Sequence, residues 1–168
     1  QAGILSWGQD MDQEHNPFQC NLGYQVSLSG KGERNKQSDY IGKEALEKMK
    51  EKLKEGEKPY KLQLVGLEFA GGKPIEDYAN DFWLISNAKG GKPVGYITSP
   101  WYHPEKKKNI AMGYVPFDGN LSSNGFPIGN FGKKYKINLP KKYSNKPVEA
   151  TVVPIPFTKS FNQNTREN

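Results

Sequence analysis

The chain has 168 residues, of which 35% are hydrophobic, 12% aromatic and 25% charged, with a formal net charge of +6 and a mean hydropathy of −0.82. That length holds one domain of ordinary size, or a complete small domain and part of another. The aromatic content excludes a disordered chain, no run approaches the roughly 18–20 consecutive apolar residues of a membrane-spanning helix, and the single cysteine, Cys20, excludes an internal disulfide.

With no disulfide to depend on, the fold suits a reducing compartment and the cytoplasm is the expected location. The positive excess is concentrated in Lys106–Lys108, Lys133/Lys134 and Lys141/Lys142. Their summed field would attract an anionic ligand or nucleic acid, while their Pro, Gly and Asn neighbours suit a plain solvated surface.

In chain order, residues 1–36 read as extended segments and loops. Ile4, Leu5 and Trp7 are apolar, Asn16-Pro17 breaks any helical geometry, and Val26 and Leu28 alternate with polar neighbours as a short strand would. From about Gly42 to Lys54, Leu46, Met49 and Leu53 fall at i, i+3 and i+7, one stripe of an amphipathic helix. Asp39 marks its N-cap region, Gly56 and Pro59 its end, and Glu44 and Lys48 an i,i+4 ion pair on its surface.

Everything after Pro59 is punctuated by Gly and Pro and reads as β. The strand segments are "YKLQLVGLEF", "KPVGYIT", "NIAMGYV", "KKYKINL" and "PVEATVV". In "KYKINL", Tyr135, Ile137 and Leu139 alternate with polar residues, the pattern of one dry and one wet face. In "YKLQLVGLEF" the apolar phase shifts from Leu62 and Leu64 to Val65, Leu67 and Phe69, which predicts a bulge near Val65 or Gly66. Short strands separated by turn signals predict a small barrel or sandwich. The polar tail from residue 161 to 168 is expected to fray.

The composition therefore shifts near residue 57, from a piece ending in a helix to an all-β module. The first piece has few elements to cover Ile4, Leu5, Trp7, Phe18 and the helix stripe, so it is expected to complete a sheet supplied from outside this chain.

Motifs for nucleotide-cradling loops and for a nucleophile elbow are absent. One Cys with His15 and His103 far apart is a poor zinc set, and Asp10, Asp12 and Glu14 open like a calcium loop but lack its glycine and its closing acid. No metal site is expected. Cys20 reads as a packed small side chain and the two histidines as hydrogen-bonding loop residues rather than general bases. "SPWYHP" sets Trp101, Tyr102 and His103 between two prolines, where flat rings are either displayed to a ligand or tucked into a barrel end.

Three stretches in order, "AGILSWGQDMDQEHNPFQCNLGYQVSL", "DYIGKEAL" and "VGYITSPWYHPEKKKNIAMGYVP", resemble the folate-dependent aminomethyltransferase family, which includes the glycine cleavage T-protein and demethylases acting on dimethylsulfoniopropionate or dimethylglycine. The likeness runs from residue 1 to about 157 and corresponds to the C-terminal half of a family member. It implies that residues 1–56 end a ferredoxin-like α+β folate-binding domain and that 57–160 form an all-β C-terminal small barrel. It also implies transfer of a one-carbon group from a substituted amine or sulfonium to N5 of tetrahydrofolate. The catalytic carboxylate would belong to the N-terminal half, so no catalytic residue is expected in this chain and the chain alone would be inactive.

The same resemblance suggests where folate would be touched. Gln1 stands where the family usually has a pterin-binding glutamate, so one neutral hydrogen bond would replace a charge-assisted pair. Trp7 replaces the usual tyrosine and keeps an apolar plate. Lys31 or Arg34 would supply a basic group, and Glu76 stands near a common T-protein arginine. With Tyr102 of the Pro-flanked aromatics, the candidate cofactor-binding residues are Gln1, Trp7, Lys31, Glu76 and Tyr102.

The departure at Glu76, with "NPFQC" and "SWG", leans toward the demethylase branch over the glycine cleavage enzyme. Expected partners are the N-terminal half of the same enzyme, folate and a small methylated or aminomethylated donor. Two competing readings are a non-catalytic folate-binding relative and a basic barrel that binds nucleic acid. The second is disfavoured because the aromatics sit in Pro-rich loops.

Overall fold

A computed structural model describes residues 3–28, 39–123 and 125–157. Gln1, Lys31 and Arg34 lie outside the described residues, as does the tail from 161 to 168. Six strands, β1 (Leu62–Phe69), β2 (Trp83–Asn87), β3 (Pro93–His103), β4 (Lys108–Pro116), β5 (Lys134–Ile137) and β6 (Val148–Val153), follow one helix, α1 (Lys43–Lys54). They close into an antiparallel barrel in the order β1-β4-β3-β2-β5-β6. The small C-terminal barrel expected from the sequence is therefore present.

Its interior is filled by one cluster in which Val65, Leu67 and Phe69 of β1 meet Ile85, Ile97, Ile137 and Val152. Burying each such aliphatic side chain contributes about 1.5–3 kcal/mol. Tyr135 and Ile137 point inward, as their alternation predicts.

β1 corrects one expectation. Its register with β4 runs unbroken from Leu62↔Pro116 to Glu68↔Ile110, with no bulge at Val65 or Gly66. The phase shift arises because both faces are dry: Leu64 packs on the outside of the barrel with Ile110, Met112, Tyr114 and Phe157 while Val65 and Leu67 face in. Gly66 stands where a Cβ would come within 2.7 Å of the Val153 carbonyl, so the residue permits close backbone approach rather than a bend. The register shifts occur at Ile85/Ser86 and between Ile97 and Ser99.

α1 carries the expected stripe. Leu46, Met49 and Leu53 pack with Phe18, Leu28, Tyr60, Phe117 and Phe126 in a second cluster beside the barrel, so Phe18 and the stripe are covered within this chain. The helix ends in a Schellman motif: Gly56, at φ +82°, donates to the Leu53 carbonyl and Glu57 to that of Lys52. The residue before the helix is Gly42, without a side-chain cap, so Asp39 is not the N-cap. Glu44 and Lys48 form their ion pair at 2.6 Å.

Ahead of α1 the described residues contain one 3-10 turn, Gly23–Gln25, and an isolated bridge, Trp7↔Met11. Val26 and Leu28 are not in a strand, since Leu28 is buried in the α1 cluster instead of a sheet. Among the described residues of 1–56, a single α-helix with no sheet of its own does not show the ferredoxin-like α+β unit expected there.

Candidate functional site

Residues 5–22 wrap the outside of β1, β4 and β3. The Leu64 N–H donates to the Gln19 carbonyl at 2.9 Å, on an edge of β1 where β6 pairs only with Gly66–Phe69. Asn21 donates to the Leu64 carbonyl at 2.7 Å. The Asp10 side chain, 2% exposed, is the anchor: it accepts from the Ser6 N–H at 3.0 Å, from the Thr98 hydroxyl at 2.6 Å and from the Ser99 hydroxyl at 2.5 Å. A carboxylate so engaged is a structural clamp, which is what the acidic run at Asp10 serves. Among the described residues no group of three or more His, Cys, Asp or Glu side chains is placed to hold a metal.

An aromatic–polar cluster surrounds this clamp. His15 packs against Tyr114 in a tilted pair with 4.7 Å between centroids, contacts the Tyr96 hydroxyl through Nε2 at 3.2 Å and the Asp12 carboxylate through Nδ1 at 2.7 Å. The Glu14 N–H, and then His15, hold Asp12 below the usual carboxylate range. Tyr96 stacks on Phe82 at 5.2 Å and lies 5.2 Å from Tyr114, and burial pushes its phenol up. Tyr114 donates to the Asp10 carbonyl at 2.8 Å, and the Cys20 thiol lies 3.4 Å from its oxygen. Burial raises the Cys20 thiol, the wrong direction for a nucleophile.

The described candidate residues, two on loops and Tyr102 on β3, sit on neighbouring segments tied to this cluster. Trp7 is 69% exposed on the turn held by Asp10. Next to it Gln9 donates to the Thr98 carbonyl and accepts from the Tyr78 hydroxyl at 2.9 Å. Tyr78 belongs to the β1–β2 connection that carries Glu76, which is exposed. Tyr102, half-buried near the end of β3, pairs across the strand with Asn109, and the Asn109 side chain accepts from the Ile75 N–H at 3.0 Å, one residue from Glu76. Gln9, Tyr78 and Asn109 thus tie the three surfaces together, although Trp7, Glu76 and Tyr102 make no hydrogen bond or ring contact with one another.

Trp101 and Tyr102 are strand residues of β3, not loop residues. Pro100 is accommodated directly after the register shift at Ile97/Ser99. Gln9, Asp10, Tyr78, Phe82, Tyr96 and Asn109 were not singled out by sequence as parts of this surface. Their partners are 34 to 89 residues away along the chain for Asn109, Gln9, Tyr78 and Asp10, so no local spacing reveals them.

Four of the seven lysines in the runs are engaged by acids. Lys106 and Lys108 share Glu68, Lys134 pairs with Glu149 and Lys142 with Asp77. Such pairing weakens the field that a nucleic-acid surface would need.

The closed barrel with an anchored N-terminal strap defines the class of the protein, and the comparisons with known proteins agree. The family of the glycine cleavage T-protein C-terminal barrel domain matches residues 63–159. The chain belongs to the glycine cleavage T-protein family, of which this is the C-terminal region.

Among relatives, it is 33% identical over 142 residues to the aminomethyltransferase of Synechocystis sp., covering 84% of this chain and 33% of that protein. It is 34% identical over 157 residues to the aminomethyltransferase of Thermotoga maritima, covering 94% and 34%. The crystal structure of glycine cleavage system aminomethyltransferase T from Bartonella henselae shares the fold, with a TM-score of 0.63 at 24% identity, covering 94% of this chain and 36% of that one. The chain spans about a third of the length of the curated relatives it matches.

Proposed function

We propose that this chain is the C-terminal portion of a tetrahydrofolate-dependent aminomethyltransferase, working with an N-terminal portion that carries the catalytic carboxylate. The single observation behind this is the family match over the whole barrel, residues 63–159. In this reading residues 57–160 are the barrel domain and 1–56 the end of the folate-binding domain. The barrel closes one side of a folate channel, and Gln1, Trp7, Lys31, Glu76 and Tyr102 face the cofactor. Trp7 suits that role because its exposed ring is a flat apolar plate on a turn that Asp10 immobilises.

The chemistry is transfer of a one-carbon group from a substituted amine to N5 of tetrahydrofolate. This chain's residues would bind and orient the pterin and keep water from the transferring carbon, and the proton transfers fall to the N-terminal portion. The relatives described above are named aminomethyltransferases and favour an amine donor. A sulfonium donor rests on the departure at Glu76 together with "NPFQC" and "SWG". The described residues contain no helix long and apolar enough to cross a membrane, and the lone buried Cys20 suits the reducing cytoplasm.

Co-expression with the N-terminal portion and analysis of folate products tests the reading. 5,10-Methylene-tetrahydrofolate from an aminomethyl donor is the expected product, and 5-methyl-tetrahydrofolate from a methylated sulfonium would move the assignment to the demethylase branch. No folate product with any donor would remove it. Gln1→Glu in the assembled protein should tighten folate binding; no change would remove Gln1 from the pterin surface and leave the reading as a non-catalytic folate-binding relative without its main argument.

A further inference from the structure

The Gln9 amide bridges two segments far apart in the chain. Its Nε2 donates to the Thr98 carbonyl and its Oε1 accepts from the Tyr78 hydroxyl at 2.9 Å. A main-chain carbonyl can only accept, so the amide nitrogen faces Thr98, and the amide oxygen is left to receive the proton of Tyr78. Glutamate here would set a carboxylate against the Thr98 carbonyl, and leucine would serve neither partner. The two bonds together call for an amide of this reach.

The ends of the bridge are held differently. On the strap side the turn is fixed on its own: the Asp10 N–H donates to the Ser6 carbonyl and the Gly8 N–H to the Met11 carbonyl, both at 2.8 Å, while the Asp10 carboxylate is bonded to Thr98 and Ser99. On the other side the β1–β2 connection is anchored at Ile75, which is fully buried with its N–H on Asn109, and at Asp77, which meets Lys142 at 2.7 Å and the Tyr143 hydroxyl at 3.1 Å. Tyr78 is 68% exposed, so its bond to Gln9 rather than burial orients its ring. The result is a second exposed aromatic side chain, tethered at its hydroxyl to the turn that carries Trp7. A ring fixed before a ligand arrives loses less conformational freedom on binding and offers a better stacking surface.

We propose that Gln9 is a positioning residue that presents Tyr78 to the same ligand as Trp7, and that the flat heterocycle of the cofactor stacks on Tyr78. This rests on the reading that Trp7 and Glu76 face tetrahydrofolate. Glu76 lies two residues before Tyr78 on the same connection, so the Gln9 bond also sets how far that carboxylate stands from Trp7.

Kinetics of the chain co-expressed with its N-terminal portion test the proposal. Tyr78→Phe keeps the ring and removes the tether, Gln9→Leu removes the tether from the other end, and Tyr78→Ala removes the ring. The two tether variants should each raise KM for tetrahydrofolate about threefold, the worth of one hydrogen bond, and Tyr78→Ala about tenfold. kcat should stay within about twofold of the parent, because the bond orients the cofactor and moves no proton. Gln9→Leu combined with Tyr78→Phe should be no worse than Gln9→Leu alone, since both break the same bond. Tyr78 is exposed, so its variants should melt with the parent, and Tyr78→Phe carries the test if Gln9→Leu fails to fold.

Unchanged KM in Tyr78→Ala, tether variants whose effects multiply, or a fall in kcat at constant KM overturns the inference and leaves the proposed activity standing. If the parent makes no folate product with any donor, the proposed function falls and the cofactor role of Tyr78 with it. The tether is then read by amide hydrogen exchange in the 168-residue chain alone, where Gln9→Leu and Tyr78→Phe should speed exchange around Tyr78 alike. Unchanged exchange there removes the positioning role of Gln9 as well.

Discussion

The Thr98 hydroxyl donates to the Asp10 carboxylate at 2.6 Å across 88 residues of sequence. This bond, with those from Ser99 and the Ser6 N–H, fastens the strap to β3 at its register shift. Asp10→Ala leaves buried donors unmet and is expected to cost about 2–3 kcal/mol in urea unfolding. Asp10→Asn should lose less, because its amide oxygen still accepts. Equal losses from the two would mean that packing, not hydrogen bonding, holds the strap.

Glu68 gives a pH signature. Burial alone would push its carboxyl up, but hydrogen bonds from Lys108 and Lys106 outweigh burial and hold it below the usual glutamate range. A carboxylate depressed in the folded state contributes stability above its unfolded value, and the contribution is lost as pH falls through the lowered folded value. Glu68→Gln should therefore be less stable than the parent at pH 7, with the two melting curves converging as pH drops below about 4. Thermal melts across that range, at low and high salt, would show it, and the gap should narrow with salt.

Tyr135 is 2% exposed and its hydroxyl meets no partner at full hydrogen-bonding distance and angle, the Lys133 ammonium being the nearest group that favours its charged form. A buried polar group without a partner is a net cost, so Tyr135→Phe should stabilise the barrel by roughly 1 kcal/mol in equilibrium unfolding. A loss of stability would reveal a partner for that hydroxyl in solution.

Trp7 tests the functional reading with the least disturbance of the fold. It is largely exposed, so Trp7→Ala should leave the melting temperature of this chain within experimental error. If the proposed function holds, the same change in the assembled protein should raise KM for tetrahydrofolate about two- to tenfold, the worth of one lost stacking contact. Unchanged KM would remove Trp7 from the folate surface.

What could be read from the amino-acid order divides by range. α1 was legible because Leu46, Met49 and Leu53 share a face and Gly56 terminates it, both local facts. β5 was legible because one face is dry, whereas β1 was misread because two dry faces mimic a slipped phase. β2 went unrecognised: Trp83–Asn87 is only five residues long, and its alternation breaks at Ile85 and Ser86, which are both buried at the register shift with β3. The clamp at Asp10 was invisible because two of its three donors, the Thr98 and Ser99 hydroxyls, lie on a distant strand. The family itself was legible from three ordered stretches, and the barrel match agrees with them.

Barrel closure joins β1 to β6, through Gly66↔Val153 to Phe69↔Ala150. The first strand made by the ribosome thus waits for the last, and nearly ninety residues must emerge before the ring can shut. Until then β1 and β5 each present a bare hydrogen-bonding edge, the state most exposed to misassembly in a nascent chain. Nonsense or frameshift lesions anywhere before residue 148 should therefore yield aggregates rather than a partly working barrel.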